Sequence, residues 1–239
     1  IAKEKAGIIK PGRVTITAES SGIVFDIFNR QAEKKHARLL SLSKDFFADK
    51  VKKNVFNFRS ELNRFNGISL SLDGDHQFTN ASLAICAAIT LKDSGYATGD
   101  KEIYEGLKDA YIPCRLEKMK TSIPAKIILD AAHNVSAAEN LCKYLDDNVQ
   151  KDSLTLMIGI MKNKNYEEMM DILSKTAGEI ILVIPHVKRS WNIETIKKIA
   201  HKNASNFKII PDIADALDYY SKKTAEGSTL CISGSIFTV

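Results

Sequence analysis

The chain has 239 residues, 44% hydrophobic and 26% charged, enough for one or two globular domains with a sizeable core. No apolar run approaches the roughly 18–20 residues of a membrane span and no signal-peptide pattern opens the sequence, so a cytoplasmic protein is expected. The net charge of +5 would suit an anionic ligand, but the lysines fall in scattered pairs such as Lys34-Lys35 and Lys197-Lys198, without the basic, aromatic-interleaved stripe of a nucleic-acid binder.

In chain order, residues 13–28 and 54–72 read as strand-rich, with turn signals at Ser20-Ser21-Gly22 and Asp73-Gly74-Asp75. Residues 80–94 predict a helix with Leu83, Ala84, Ala87, Ala88 and Leu91 on its apolar side, and Asn80 stands where an N-cap would. Beyond Gly95 and Gly99, Ile103, Leu107 and Tyr111 align on a short helix that reads as a connector and ends near Pro113. From there short apolar runs at 126–130, 154–159, 179–184, 206–210 and 229–233 alternate with helical stripes. The stripes are Leu141/Tyr144/Leu145/Val149, Met169/Met170/Leu173/Ala177, Ile193/Ile196/Ala200 and Ile213/Leu217/Tyr220, with Asn165 and Asp212 at N-cap positions. Such alternation predicts an α/β fold, a doubly wound and mostly parallel sheet. The expected division is 1–98, a connector at 99–112, and 113–239.

The densest chemistry lies at Ile127-Ile128-Leu129-Asp130-Ala131-Ala132-His133-Asn134. An apolar run ends in an acid, and an imidazole and an amide follow directly. Ser136-x-x-Glu139 fits a capping box, so a helix N-terminus with free N–H groups should open here. A strand end leading into a helix N-terminus is where α/β folds bind phosphate. Asp130 could accept ribose hydroxyls and His133 could donate to phosphate; as a bare Asp-x-x-His the pair could equally be a polar surface loop. Arg115, after the interdomain turn, could clamp phosphate or merely make a surface ion pair. Gly7-x-x-x-x-Gly12 has the glycine spacing of a P-loop, but Arg13-Val14 follows where Lys and Ser/Thr are needed, and Pro11 removes a donor. No G-x-G-x-x-G, H-E-x-x-H or G-x-S-x-G occurs, and Cys86, Cys114, Cys142 and Cys231 form no C-x-x-C pair. Reduced thiols are therefore expected.

Several segments together resemble one family. The opening Ile1-Ala2-Lys3-Glu4-Lys5-Ala6-Gly7-Ile8-Ile9-Lys10-Pro11-Gly12 is similar to the central-domain signature of folylpolyglutamate synthases and dihydrofolate synthases, of the Mur ligase superfamily. Leu72-Asp73-Gly74-Asp75-His76-Gln77 with Asn80-Ala81 resembles the family's Gly-x-His-Gln…Asn-Ala segment. Pro113-Cys114-Arg115-Leu116-Glu117 resembles its Pro-Gly-Arg-x-Glu, and Leu129-Asp130-Ala131-Ala132-His133-Asn134 its Leu-Asp-Gly-Ala-His-Asn. Gly159-Ile160-Met161-Lys162-Asn163-Lys164-Asn165 is similar to Gly-x-Met-x-Asp-Lys-Asp, and Gly234-Ser235 to the closing Gly-Ser strand. All run in family order.

The resemblance implies a Rossmann-like Mur ligase C-terminal domain, preceded by the end of a P-loop-type ATPase domain. It implies that Asn80, Arg115 and Asp130 bind ATP and that His133 belongs to the catalytic ATP site. It also implies that Lys5, when carbamylated, becomes a carboxylate-like group beside catalytic Mg²⁺, where an ammonium would repel the ion. The implied reaction activates a folate γ-carboxylate as an acyl phosphate, which the amine of glutamate attacks. The implied partners are small molecules (folate, glutamate and ATP), with a monomer when full length. Ala131 and Cys114 stand where the family has glycines, Val135 where proline is usual, and Asn163 and Asn165 where aspartates are typical, which marks a divergent member. The family's P-loop and upstream metal ligands precede the Lys5 signature and do not occur in these 239 residues, so an inactive piece of a longer ligase is expected. Two alternatives stay open: another Mur-type amino-acid ligase of cell-wall precursor synthesis, or a nucleotide-binding module without turnover.

Overall fold

The structure is a computed structural model that describes all residues except Ala97, Ile160, Asn163, Lys164, Arg189 and 204–206; side chains are not described for 199–203. Two compact units divide the chain, Ile1–Tyr111 and Ile112–Val239. No helix among the described residues is long and apolar enough to cross a membrane.

The first unit opens with a short helix, α1 (Ala2–Ala6), and a β-α-β turn of chain. Strand β1 (Val14–Thr17) leads through α2 (Gly22–Lys34) to β2 (Arg38–Ser41), which pairs parallel with β1. The expectation of strand across 13–28 therefore holds only to Thr17. Ile23, Val24, Phe25, Ile27 and Phe28 favour strand by propensity. Ile27, Phe28 and Ala32 instead pack as one helical stripe on Ala6, Ile9 and Leu39, and Ile23 is left 80% exposed. An antiparallel meander follows: β3 (Phe46–Lys52), β4 (Val55–Ser60) and β5 (Arg64–Ser69). Its inner face places Phe46, Phe56, Phe58, Phe65 and Ile68 under α3 (His76–Asp93) and α4 (Asp100–Lys108). Ring centroids of Phe46 and Phe65 each lie 6.0 Å from that of Phe58, the spacing of favourable aromatic pairs. The segment read as a connector carries α4, whose Ile103 is buried in this core. Asn80 does not start a helix: α3 begins at His76 with Asp75 at the N-cap position, and Asn80 lies in its second turn.

The second unit is the expected β/α alternation. Its elements are β6 (Glu117–Met119), β7 (Ala125–Leu129), α5 (Val135–Asn148), β8 (Leu154–Ile158), α6 (Tyr166–Leu173), β9 (Glu179–Leu182), α7 (Ile193–Asn203), β10 (Phe207–Ile209), α8 (Ile213–Lys223) and β11 (Ser228–Ser233). The sheet order is β10-β9-β8-β11-β7-β6, parallel except for the edge pair β6–β7. From β7 through β8 and β9 to β10 the chain steps one way across the sheet; the last step, to β11, returns. Right-handed crossovers then put α5, α6 and α7 on one face and α8 on the other. The cores agree. Ile128, Leu156, Ile158 and Cys231 meet Leu141, Leu145, Met169 and Leu173 on one face, while Met157, Ile181, Leu230 and Ile232 meet Ala216 and Tyr220 on the other. Leu217, expected on the buried stripe of α8, is 37% exposed; Ala216 takes its place. Asp212 caps α8 as expected, with Oδ1 accepting the N–H groups of Ala214 (2.8 Å) and Asp215 (3.1 Å). Asn165 occupies the N-cap position of α6 without a capping bond. The stripe residue Ala200, and Asn163 of the Gly159 segment, lie outside the residues whose side chains are described.

A candidate nucleotide site at the carboxyl edge of the second unit

Parallel strands end on one edge, so the segments after β7, β8 and β11 share it, and β11 lies between the other two. Such an edge is the ligand side of open α/β sheets. The segment after β7 is Asp130–Asn134, and α5 follows directly.

Asn134, not Ser136, caps α5: its backbone is extended and its Oδ1 accepts the N–H of Ala137 at 2.9 Å. Ser136 falls inside the first turn, so the capping box does not form. The amide of Asn134 wins because the helix starts two residues earlier than the box requires. The expectation of a helix N-terminus beside His133 and Asn134 stands with this change of cap, and the helix dipole favours an anion there.

Asp130 is 6% exposed. Its Oδ1 accepts the N–H of Ala132 at 2.9 Å and its Oδ2 the N–H of Leu116 at 3.0 Å. Burial pushes its carboxyl up from the ordinary value; the two N–H donors, then the charges of Arg115 and His133, pull it back only in part. A carboxylate has about four acceptor positions, so two remain after these bonds. His133 is half-buried, and its Nδ1 lies 2.9 Å from the Ala131 carbonyl. Because a carbonyl only accepts, that contact assigns the proton to Nδ1 and leaves Nε2 as the other nitrogen.

Arg115 arrives from the preceding loop. That loop is sewn to the Asp130 segment by the Leu116 bond and by Ala131 N–H donating to the Cys114 carbonyl at 2.8 Å. Cys114 and Leu116 both adopt positive φ, 56° and 50°. A glycine at 114, as in the resembled motif, would adopt that conformation freely; the cysteine is held in it. Burial first, then Glu117 and Asp130, raise the Cys114 thiol above its ordinary range, against Arg115. Glu117, for which no role was expected, accepts the Cys114 N–H at 2.8 Å. Its only sequence signal was its place in Pro-Cys-Arg-Leu-Glu.

The structure thus gathers Arg115, Asp130 and His133 on one edge. Lys5 and Asn80 belong to the first unit. Lys5 is exposed on α1, and Asn80 is exposed on α3 with its Nδ2 donating to Gln77 Oε1 at 2.9 Å. Among the described residues no three His, Cys, Asp or Glu side chains group to hold a metal ion. An unmodified Lys5 would repel a cation, and only its carbamate fits a Mg²⁺ site. Two clefts lie away from this edge. One of about 610 Å³ sits at the amino ends of β8, β9 and β11, lined by Ser153, Thr155, Glu179 and Tyr220. Another of about 520 Å³, lined by Arg38, Phe46, Phe58 and Cys86, belongs to the first unit. Neither holds a candidate residue.

Residues 114–236 match the family described as Mur ligase, glutamate ligase domain. The dihydrofolate synthase/folylpolyglutamate synthase of Bacillus subtilis is 28% identical over 247 residues, covering 100% of this chain and 56% of that protein. The crystal structure of folylpolyglutamate synthase from Thermotoga maritima superposes with a TM-score of 0.78 at 30% identity, over 100% of this chain and 55% of that one. A Mycobacterium tuberculosis folylpolyglutamate synthase, solved with ADP and AMPPCP, gives a TM-score of 0.85 at 19% identity over 99% of this chain and 57% of that one, a likeness of fold. The chain spans about half the length of these relatives. Since the matched segment is more than half of the chain and contains Arg115, Asp130 and His133, the chain belongs to the Mur ligase family.

Proposed function

We propose that the chain is part of an ATP-dependent ligase that joins glutamate to a folate through an amide bond, and that Arg115, Asp130 and His133 form its share of the nucleotide site. The observation that carries this reading is the convergence of these three side chains with the N-terminus of α5 at one strand edge. The similarity over the whole chain to a dihydrofolate synthase/folylpolyglutamate synthase supports folate over other carboxylate substrates.

On this reading the Arg115 guanidinium clamps phosphate oxygens bidentately and offsets charge as the phosphoryl group moves. The dipole of α5 adds to that field. Asp130 uses its remaining acceptor positions for ribose hydroxyls, and His133, its ring fixed through Nδ1–H, can donate from Nε2 to phosphate only as the doubly protonated ring. A carboxylate oxygen of the folate attacks the γ-phosphorus and ADP leaves. The glutamate amine then attacks the acyl carbon, expelling inorganic phosphate and losing a proton. For Asn80, on the first unit, we propose a nucleotide contact of its own. Lys5, as its carbamate, would give Mg²⁺ one oxygen ligand; the ion supplies charge neutralisation between phosphates. We read the full-length ligase as a monomer acting on small molecules in the cytoplasm.

The 239 residues contain no P-loop pattern, so alone they should bind nucleotide weakly and should not glutamylate. The test joins the chain to the P-loop-bearing portion of a family relative and measures glutamate- and ATP-dependent phosphate release with tetrahydrofolate. Release with tetrahydrofolate is expected. Release only with a muropeptide precursor would move the assignment to cell-wall ligases, and no release with either, despite ATP binding, would leave a nucleotide-binding module.

A further inference from the structure

Arg115 stands between two residues in the left-handed region, Cys114 (φ 56°) and Leu116 (φ 50°). Neither is glycine, so each conformation is strained and must be held by its surroundings. Each is held by a carboxylate. Asp130 Oδ2 takes the N–H of Leu116 at 3.0 Å, and Glu117 Oε2 takes the N–H of Cys114 at 2.8 Å. A third bond, Ala131 N–H to the Cys114 carbonyl at 2.8 Å, fixes the peptide that joins Cys114 to Arg115. Glu117 is itself anchored, because it opens β6 and pairs with Leu129 at the end of β7. A charge-assisted bond from a residue so fixed holds the turn more firmly than a neutral acceptor on a loop would.

We propose that Glu117 is a positioning residue for Arg115. It clamps the Cys114 peptide and thereby sets the direction in which the Arg115 side chain leaves the backbone, without touching the nucleotide. The two carboxylates act as paired staples, one on each side of the arginine. Asp130 serves both the loop and the site, whereas Glu117 holds the loop through the Cys114 N–H. Its consequence for nucleotide binding rests on the reading of Arg115 proposed above; the backbone clamp does not.

The test uses the 239-residue chain with Glu117→Ala, Glu117→Asp and Glu117→Gln, beside Arg115→Ala. Two readouts are independent of nucleotide: amide exchange at Cys114 by NMR, and the rate at which phenylglyoxal modifies Arg115, followed by mass spectrometry. Glu117→Ala should raise Cys114 exchange at least tenfold and change the Arg115 rate severalfold, while Glu117→Gln, which keeps an acceptor oxygen, should restore both most of the way. If Glu117→Ala fails to fold, Glu117→Asp, whose shorter reach loses the bond, carries the same comparison. ATP titration by NMR should show Glu117→Ala weakening binding about as much as Arg115→Ala, with the double variant no worse than Arg115→Ala alone. Unchanged Cys114 exchange or an unchanged Arg115 rate in Glu117→Ala overturns the proposal. So does an additive double variant. An Arg115→Ala chain that binds ATP like the parent overturns the nucleotide-site reading instead, and the two nucleotide-free readouts still decide the clamp.

Discussion

Asp130 Oδ2 accepts the backbone N–H of Leu116 at 3.0 Å, joining the end of β7 to the loop before β6. The carboxyl is buried, and its pKa lies above the ordinary value chiefly for that reason. The native state therefore binds this proton more tightly than the unfolded chain. The contribution is fully favourable below the ordinary carboxylate range and is lost as pH rises through the raised pKa. Asp130→Asn has no such titration and turns an amide N–H toward one of two N–H donors. At pH 7 the variant should be less stable by about 1–3 kcal/mol, the cost of an unsatisfied buried polar group. The gap to the parent should widen as pH falls through the raised pKa and be flat above it. Urea unfolding at several pH values measures this, and a gap that narrows on acidification would show that burial does not dominate.

Cys114 tests the backbone strain. A left-handed conformation costs an L residue about 1–2 kcal/mol, and glycine recovers it less about 0.5–1 kcal/mol of unfolded-state entropy. Cys114→Gly should therefore raise the second unit's stability slightly, by up to about 1 kcal/mol. Cys114→Val, β-branched at the same φ, should lower it by more than that. Thermal unfolding should give the order Gly, Cys, Val from most to least stable; Val equal to Cys would mean that the loop relaxes out of the left-handed region.

Gly159 and Gly234 cross at the ends of β8 and β11. A Cβ on Gly234 would stand 2.8 Å from the Gly159 oxygen, and one on Gly159 would meet Thr238 Oγ1 at 2.6 Å and Pro185 Cγ at 2.8 Å. Gly234 also has φ 100°, so an alanine there faces backbone and strain together. Thr238 Oγ1 closes the crossing by donating to the Gly159 carbonyl at 2.8 Å. Gly234→Ala should cost about 2–4 kcal/mol, overpacking plus strain, and more than Gly159→Ala, whose neighbours are side-chain atoms. Equal losses in chemical denaturation would argue against the backbone clash.

The second unit was legible because strands buried on both faces must be apolar throughout, as β8 is from Leu154 to Ile158. The first unit was less so. Strand β3 begins Phe46-Phe47-Ala48 and continues Asp49-Lys50-Val51-Lys52 into solvent, so only its first residues carry a core signal. In α2, residues with strand propensity were overridden by packing against α1 and β2, a tertiary effect that no local window contains. At the site, Arg115, Asp130 and His133 were visible as residue types with a family pattern. The bonds that hold them were not. Positive φ at Leu116 has no signal in a leucine, and the reach of Glu117 to Cys114 N–H follows from that turn. The mistaken cap at Ser136 has a similar source: two capable side chains two residues apart, and only the backbone geometry chooses between them.

Arg115 gives the most direct test of the nucleotide reading. Its charge already acts on Asp130, and a guanidinium on phosphate forms charge-assisted bonds worth about 1.5–3 kcal/mol. Arg115→Ala should weaken ATP binding roughly 10- to 100-fold. Arg115→Lys should recover only part of this, because an ammonium keeps the charge but not the planar fork. Raising salt should weaken the parent more than Arg115→Ala, since the exposed part of the attraction is screened. The residue is half-buried in a loop, so the unfolding temperature should change little, which separates a binding defect from a folding defect. Calorimetric titration with ATP at two salt concentrations reads all three effects. If lysine binds ATP as well as arginine does, Arg115 supplies charge alone and no bidentate clamp exists.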